Sequence, residues 1–143
     1  MTVSSILAAK GGDVITIEPA ATLAAAAALL SKRRIGALVI LGPGGRVAGI
    51  LSERDIVHAL AERGSEALNE PLSRTMTREV ATCGPDDEIN SLMERMTDGK
   101  FRHMPVVTSG KLAGIVSIGD IVKQRVDEME RESEAMRDYI QTA

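Results

Sequence analysis

Short apolar runs follow one another along the first half of the chain, and their spacing predicts five elements. Apolar runs bounded by glycine or proline indicate strands, and an alanine- and leucine-rich stretch indicates a helix. A further helix carries Ile56, Val57 and Leu60 on one face and ends at Gly64. The predicted strands span about 14–17, 37–41 and 46–51, and the predicted helices span about 21–33 and 53–63.

The second half of the chain repeats this order. The sequence VAGILS at 47–52 returns as LAGIVS at 112–117, and VITIEP at 14–19 returns as VATCGP at 80–85. Similarity that keeps its order over such a length indicates a duplication. The equivalent elements are predicted at about 80–83, 86–98, 104–108, 111–116 and from 118 onward, with short lead-in helices at 3–9 and 70–76.

This repeat defines the expected domain organisation. Each unit alone would expose one face of a three-stranded sheet, and two units packed together would hide both faces. We therefore predict an α/β protein of the α+β type, in which two pseudo-symmetric β-α-β-β-α repeats pack sheet to sheet and an extended helix follows. The predicted segments are a first repeat (1–65), a linker with its lead-in helix (66–79), a second repeat (80–125) and a C-terminal helical extension (126–143).

The C-terminal helix has an apolar seam. Five apolar residues fall at the spacings of a heptad, with Ser133 in the gap: Val122, Val126, Met129, Met136 and Ile140. The residues between them are dense in alternating charge. Two interpretations stay open, an amphipathic helix folded against its own domain and a helix that packs on a second copy of the chain.

Composition narrows the expected function. Twenty acidic and seventeen basic residues give a net charge of −3, and Phe101 and Tyr139 are the only aromatic residues. Nucleic-acid binding uses a basic face and aromatic stacking, so nucleic acid is not an expected partner. The single cysteine, Cys83, excludes an internal disulfide. The apolar runs are too short to cross a bilayer and residues 1–9 do not form a signal peptide, so we expect a cytoplasmic protein without a membrane partner.

Candidate catalytic side chains are few and scattered. Cys83 lies in a predicted strand, where a free cysteine usually acts as a small apolar residue. His58 lies on a predicted helix without a second metal-type ligand at a useful spacing. The sequence contains no zinc-binding spacing, no nucleotide-hydrolysis loop and no dinucleotide glycine fingerprint. We expect no catalytic residue, no metal site and no enzyme activity.

The same four-residue pattern stands at the start of a helix in both repeats. Ser52 precedes Asp55 by three positions, and Ser117 precedes Asp120 in the same way. A serine followed by an acidic residue at this spacing forms a capping box without any ligand. The N-terminus of a helix also binds phosphate, and a carboxylate can accept hydrogen bonds from ribose hydroxyls. The local pattern leaves both interpretations open.

Four motifs together resemble a tandem pair of CBS domains, the family named after cystathionine β-synthase. They are VIT at 14–16, GILSERD at 49–55, RHMPVV at 102–107 and GIVSIGD at 114–120. The resemblance covers about residues 1–125 and both copies carry it. It implies two clefts between the repeats, each able to hold an adenine nucleotide such as AMP, ADP, ATP or an NAD-type ligand, with Mg²⁺ possible beside a triphosphate. No obligatory cofactor is implied.

The resemblance also implies a role for particular side chains. Asp55 and Asp120 would hold ribose hydroxyls, and Ser52 and Ser117 would meet phosphate. The remaining implied residues are Thr16, Ala37, Thr82, Met104 and Pro105 around the base, and Arg54, Arg102 and His103 at the phosphate.

The two clefts are expected to differ, because Arg102-His103 in one copy corresponds to Ile35-Gly36 in the other, and Arg54 corresponds to Gly119. As a whole, the resemblance implies a homodimeric regulatory module that senses energy state or a metabolite and acts on another, unidentified protein. The alternative is a structural or scaffold dimer whose ligand sites have decayed.

Overall fold

The described part of the chain, residues 1–142 of a computed structural model, contains five α-helices and five β-strands. The helices are α1 (Val3–Lys10), α2 (Leu23–Arg33), α3 (Glu53–Arg63), α4 (Ile89–Gly99) and α5 (Ile118–Thr142). The strands are β1 (Thr16–Ile17), β2 (Ala37–Leu41), β3 (Val47–Ser52), β4 (His103–Thr108) and β5 (Lys111–Ser117). The predicted fold class, with two α/β units and a long final helix, is confirmed.

The first unit is a three-stranded sheet with two helices packed against it. Strand β2 lies in the centre, parallel to β1 and antiparallel to β3. Residues 37–40 are all buried, which explains why this strand is a continuous apolar run and not an alternating one. Leu23 and Leu30 of α2 and Ile56 of α3 complete the core. The predicted bounds of β2 and α3 match the structure residue for residue.

Helix α3 buries a narrower face than its sequence predicts. Ile56 and Ala59 are buried, whereas Val57 is 64% exposed and Leu60 is 37% exposed. The prediction that Val57 shares one face with Ile56 is wrong, because neighbouring residues of an α-helix point about 100° apart. The buried positions follow the i, i+3 spacing from Ile56. Val57 and Leu60 thus form an apolar strip on the outside of the first unit.

The second unit keeps its hairpin but lacks a regular first strand. Strands β4 and β5 pair antiparallel, and only Cys83 forms a parallel bridge, to Val106. The predicted strand at 80–83 is therefore wrong beyond this single bridge. On either side of Cys83, backbone groups form hydrogen bonds with side chains. Arg95 donates to the carbonyl of Thr82 (2.9 Å), and Gly84 N–H donates to the carboxylate of Asp87 (2.9 Å).

The segment that begins the chain completes the core of the second unit. Val3 and Ile6 of α1 are buried in the core of the second unit, and Val3 N–H donates to the carbonyl of Asp87 (3.0 Å). The predicted lead-in helix at 3–9 is confirmed. Its side chains nevertheless pack on the repeat that lies later in the chain.

The segment between the repeats packs back on the first unit in the same way. Leu72 and Met76 lie in the first core, and Thr77 pairs with Ile50 at the outer edge of β3. The predicted lead-in helix at 70–76 is wrong, because only a 3₁₀ turn at Leu72–Arg74 forms. Its backbone bonds instead to the first unit, as when Leu72 N–H donates to the carbonyl of Ala21 (2.8 Å). The predicted segment boundaries at 65 and 79 stay predictions.

The close approach of Met76 and Thr77 to β3 requires glycine at position 49. A Cβ on Gly49 would lie 2.8 Å from Met76 Sδ and 2.8 Å from the Thr77 carbonyl oxygen. We expect Gly49→Ala to lower the free energy of unfolding by about 1–3 kcal/mol, the usual cost of overpacking. Urea denaturation measures this change.

Gly84→Ala is the matched control for Gly49→Ala. A Cβ on Gly84 meets no described atom within 4 Å. This variant should unfold at the same urea concentration as the parent protein. Equal midpoints for the two variants would mean that the segment around Thr77 moves aside freely and adds little to stability.

The two hairpins meet at both ends. At one end, the imidazole of His103 at the start of β4 lies against Gly36, where a Cβ would be 3.2 Å from Cε1. At the other end, the side chain of Arg46 lies against Gly110. These contacts place the N-terminus of α3 beside the segment that leads into β4.

Helix α5 extends away from its own unit. Ile121 is fully buried, but residues 129–141 are all exposed, with Met129 at 61% and Met136 at 62%. The interpretation of this extension as a helix folded against its own domain is therefore wrong. Among residues 1–142, none of the helices combines the length and the apolar character needed to span a membrane.

Candidate functional site

A cleft with a volume of about 630 Å³ lies between the two units. The first unit contributes the start of β2 and the junction of β3 with α3, and the second contributes residues 79–81 and 99–103. Six of the predicted site residues line this cleft: Ala37, Ser52, Arg54, Asp55, Arg102 and His103. The structure thus brings together residues that lie up to 66 positions apart in the sequence.

Ser52 and Asp55 form the capping box that their spacing predicts. Asp55 Oδ2 accepts from the Ser52 N–H (2.8 Å) and from the Ser52 hydroxyl (3.1 Å), and Asp55 N–H donates to Ser52 Oγ (3.3 Å). The two contacts that involve the carboxylate both use Oδ2, so Oδ1 keeps its capacity to accept. The capping interpretation is confirmed, and the same carboxylate still faces the cleft.

Basic side chains approach the cleft from both units. Lys100 and Arg102 come from the segment after α4, and Arg54 comes from the first turn of α3. All three are exposed, and none takes part in an ion pair among the described residues. Lys100 was not predicted as a site residue. Its position was a usable signal, because a basic residue at the end of a predicted helix also lies beside the loop that follows the helix.

Acidic side chains balance these cations. Glu53 and Glu79 line the cleft together with Asp55. The cleft is therefore not uniformly positive, and it can hold a ligand that offers hydroxyl donors as well as anionic groups.

His103 is a half-buried neutral base at the back of the cleft. Burial lowers the pKa of its imidazole below the usual value, Asp120 opposes this change, and Lys10 adds to it. A neutral imidazole offers one donor and one acceptor at pH 7. It can therefore hydrogen-bond a ligand without adding a fixed positive charge.

Four other predicted residues lie away from the cleft lining. Met104 and Pro105 are buried inside β4, and Thr16 lies on β1. Thr82 lies just beyond the lining, where Val80 and Ala81 face the cleft in its place. The wall of the cleft at this point is therefore aliphatic.

Ser117 and Asp120 repeat the capping box at the start of α5. Ser117 N–H donates to Asp120 Oδ2 (2.9 Å), and Asp120 N–H donates to Ser117 Oγ (3.1 Å). Lys10 adds an ion pair to the same carboxylate, with 2.7 Å between Nζ and Oδ2. Burial raises the pKa of Asp120, but the hydrogen bonds from Lys10 and Ser117 outweigh it and hold the pKa below its usual value.

Cys83 has the environment of a structural residue. It is buried, and burial raises the pKa of its thiol to about 11. A thiol with so high a pKa is protonated at pH 7 and is a poor nucleophile. His58 is exposed on α3. Among residues 1–142, no group of three or more His, Cys, Asp or Glu side chains could hold a metal ion.

The repeat, its two capping boxes and the inter-unit cleft agree with the family that the sequence resembles. The sequence model of the CBS domain matches residues 3–62 and again residues 72–127. The chain belongs to the CBS domain family. The two separate matches also confirm that it is a tandem pair.

Solved structures of CBS domain proteins have the same fold. A CBS-domain protein from Agrobacterium tumefaciens is 44% identical, with a TM-score of 0.85, and the match covers 87% of this chain and 99% of that one. A CBS domain protein from Pyrobaculum aerophilum, solved with AMP, is 28% identical with a TM-score of 0.74, covering 84% and 89%. A CBS domain pair solved with 5′-methylthioadenosine and S-adenosyl-L-methionine is 27% identical with a TM-score of 0.80, covering 90% and 98%. Two of these three relatives hold an adenosyl compound.

Proposed function

We propose that this CBS domain pair is a regulatory module that binds an adenosyl nucleotide in the cleft between its units and is not itself an enzyme. The observation that carries the proposal is the meeting of Ser52 and Asp55, at the N-terminus of α3, with Lys100 and Arg102 of the other unit. The AMP complex and the S-adenosyl-L-methionine complex of the two relatives support an adenosyl ligand.

Each part of such a ligand has a chemically suited group in the cleft. The ribose hydroxyls donate to Asp55, whose Oδ1 keeps its lone pairs beside the capping box. The phosphate lies near the N-terminus of α3, where the positive end of the helix dipole favours an anion. Lys100 and Arg102 complete the phosphate site from the opposite wall.

The base lies against the aliphatic part of the wall. Ala37, Ile50, Val80 and Ala81 line the cleft, while Phe101 is the only aromatic residue there. Burial of the base between aliphatic side chains supplies affinity in proportion to the apolar area removed from water. The polar edge of the base is then read by main-chain groups.

The charges favour a phosphorylated nucleotide over a sulfonium compound. Arg54, Lys100 and Arg102 are exposed at the cleft and attract AMP, ADP or ATP, whereas the sulfonium of S-adenosylmethionine carries a positive charge. An NAD-type dinucleotide would meet the same cations through its pyrophosphate. Mg²⁺ would enter only with a triphosphate and would be held by its phosphates.

We further propose that the protein is a homodimer that acts on a separate regulated protein in the cytoplasm. The exposed strip of Val57 and Leu60 on α3 and the exposed seam of α5 support self-association, since apolar helix faces are normally covered. The reduced thiol of Cys83 is compatible with that compartment. Neither a nucleic acid nor a membrane is proposed as a partner.

One observation favours the alternative of a scaffold dimer without a ligand. Ser52 and Asp55 form both hydrogen bonds of the capping box with each other, so these residues stabilise α3 by themselves. The scaffold protein would keep its dimer and its helices but show no response to nucleotide.

A ligand panel separates the two proposals. We expect AMP, ADP or ATP at about 100 times its Kd to raise the free energy of unfolding by roughly 2.7 kcal/mol, because only the folded state binds. Thermal unfolding and calorimetry measure this with adenosine, S-adenosylmethionine and NAD as comparators, and GMP as the control for the base. A melting temperature that no adenosyl compound moves at millimolar concentration would support the scaffold.

A further inference from the structure

The carboxylates of the two capping boxes have different partners. Asp55 accepts hydrogen bonds only from Ser52 among the described residues. Asp120 accepts from Ser117 and also from Lys10, whose Nζ lies 2.7 Å from Oδ2. The pair is partly shielded from water, with the two side chains 34% and 24% exposed, respectively. A residue outside both capping boxes therefore engages one of the two carboxylates.

The difference arises where each lead-in segment meets the outer edge of a sheet. In the first unit, Thr77 N–H donates to the carbonyl of Ile50 at 3.0 Å. In the second unit, the carbonyl of Ile115, which is 65 positions later, accepts from Lys10 Nζ at 3.0 Å. The lysine ammonium thus takes the place of a backbone N–H. Because α1 ends at Lys10, the side chain reaches both this carbonyl and Asp120.

The first unit has no cation in the place of Lys10: among the described residues, no lysine or arginine forms an ion pair with Asp55. The residue nearest to this place is Met76, which packs on Gly49 as Leu7 packs on the equivalent Gly114 in the second unit. The first cleft therefore has no cation on its aspartate. A different pair of cations is common to both units: Arg34 follows α2 and Lys100 follows α4, at equivalent left-handed positions (φ 54° and φ 57°).

We infer that Lys10 closes the second cleft to a ribose, so that each chain takes one adenosyl ligand, at Asp55. A ribose at Asp120 would have to displace an ammonium that also holds the carbonyl of Ile115. The Lys10 ammonium and the Ile115 carbonyl would then each need a new hydrogen-bond partner in a partly buried environment. This inference rests on the proposed function of the first cleft and adds the residue that makes the two clefts unequal.

Lys10→Met tests the inference, because it removes the ammonium and keeps an unbranched side chain of similar length. Isothermal titration with AMP should give one ligand per chain for the parent protein. The variant should give two ligands per chain, the second weaker, because Arg102 and Arg54 have Ile35 and Gly119 as counterparts. Lys10→Arg keeps the cation and should retain one ligand per chain.

Further variants assign each binding event to its cleft. Adding Asp120→Ala to Lys10→Met should weaken the second event roughly 10- to 150-fold, and adding Asp55→Ala should weaken the first event by the same factor. Two equivalent sites in the parent protein would overturn the role of Lys10 but not the proposed function. A single site in Lys10→Met, with normal folding by circular dichroism, would have the same consequence. Absence of AMP binding to every variant, with ADP and ATP also inactive, would overturn the proposed function and this inference together.

Discussion

Asp55→Ala should weaken binding of AMP roughly 10- to 150-fold. This corresponds to the loss of a hydrogen bond to a charged group, about 1.5–3 kcal/mol. The side chain lies in the cleft, and its Oδ1 has the free lone pairs that ribose hydroxyls need. Isothermal titration measures the change in Kd directly.

Asp55→Asn and Asp120→Ala separate binding from capping. The asparagine keeps an oxygen that can accept from the Ser52 N–H, so it should preserve most of the cap while it weakens ribose binding. Asp120→Ala removes the equivalent cap of the second unit and should leave the affinity of the first cleft unchanged. If Asp55→Ala lowered the melting temperature but left the Kd for AMP as it was, Asp55 would be a capping residue only.

Replacing Met129 and Met136 by lysine should dissociate the proposed dimer. Both side chains stand exposed on the seam of α5, and their burial against a second copy would contribute about 1.5–3 kcal/mol each. Lysines there would also place like charges side by side in the contact. We expect the dimer dissociation constant to rise by at least about 100-fold. Sedimentation velocity across a concentration series measures it.

Lysines placed off the seam provide the control. Ala135 and Gln141 are exposed on α5 outside the heptad positions of the seam. The double variant Ala135→Lys, Gln141→Lys adds the same charge and should leave the dimer intact. If the two double variants had the same dissociation constant, the seam would not be the contact between copies.

The elements that were predicted correctly are those for which the local sequence pattern and the tertiary environment favour the same conformation. Strand β2 and helix α3 were predicted to the residue because a continuous apolar run and a capping box define them locally. The predicted strand at 80–83 failed because side chains bond to the backbone groups beside Cys83. The predicted helix at 70–76 failed because its backbone groups bond to distant partners. For example, the Leu72 N–H bonds to Ala21, 51 positions earlier.

The residues of the candidate site were also predicted only in part. Six residues of the cleft followed from the resemblance, because the motifs that carry it also line the cleft. Lys10 was not predicted, since its pattern is only that of a cation ending a helix, and Asp120 lies 110 positions away. A pair so far apart leaves no periodic signal in one sequence.

The docking of α1 on the second unit also sets an order of events in folding. Its contacts join residues far apart, as in the hydrogen bond from Ser4 to the carbonyl of Pro85, 81 positions later, and closing such a loop costs entropy before any contact forms. A ribosome releases α1 well before β5 and α5, which carry its binding surface and lie more than 100 positions later in the sequence. Helix α1 of the nascent chain therefore stays undocked until β5 and α5 have been synthesised, and the second unit reaches its native stability only when α1 packs on it.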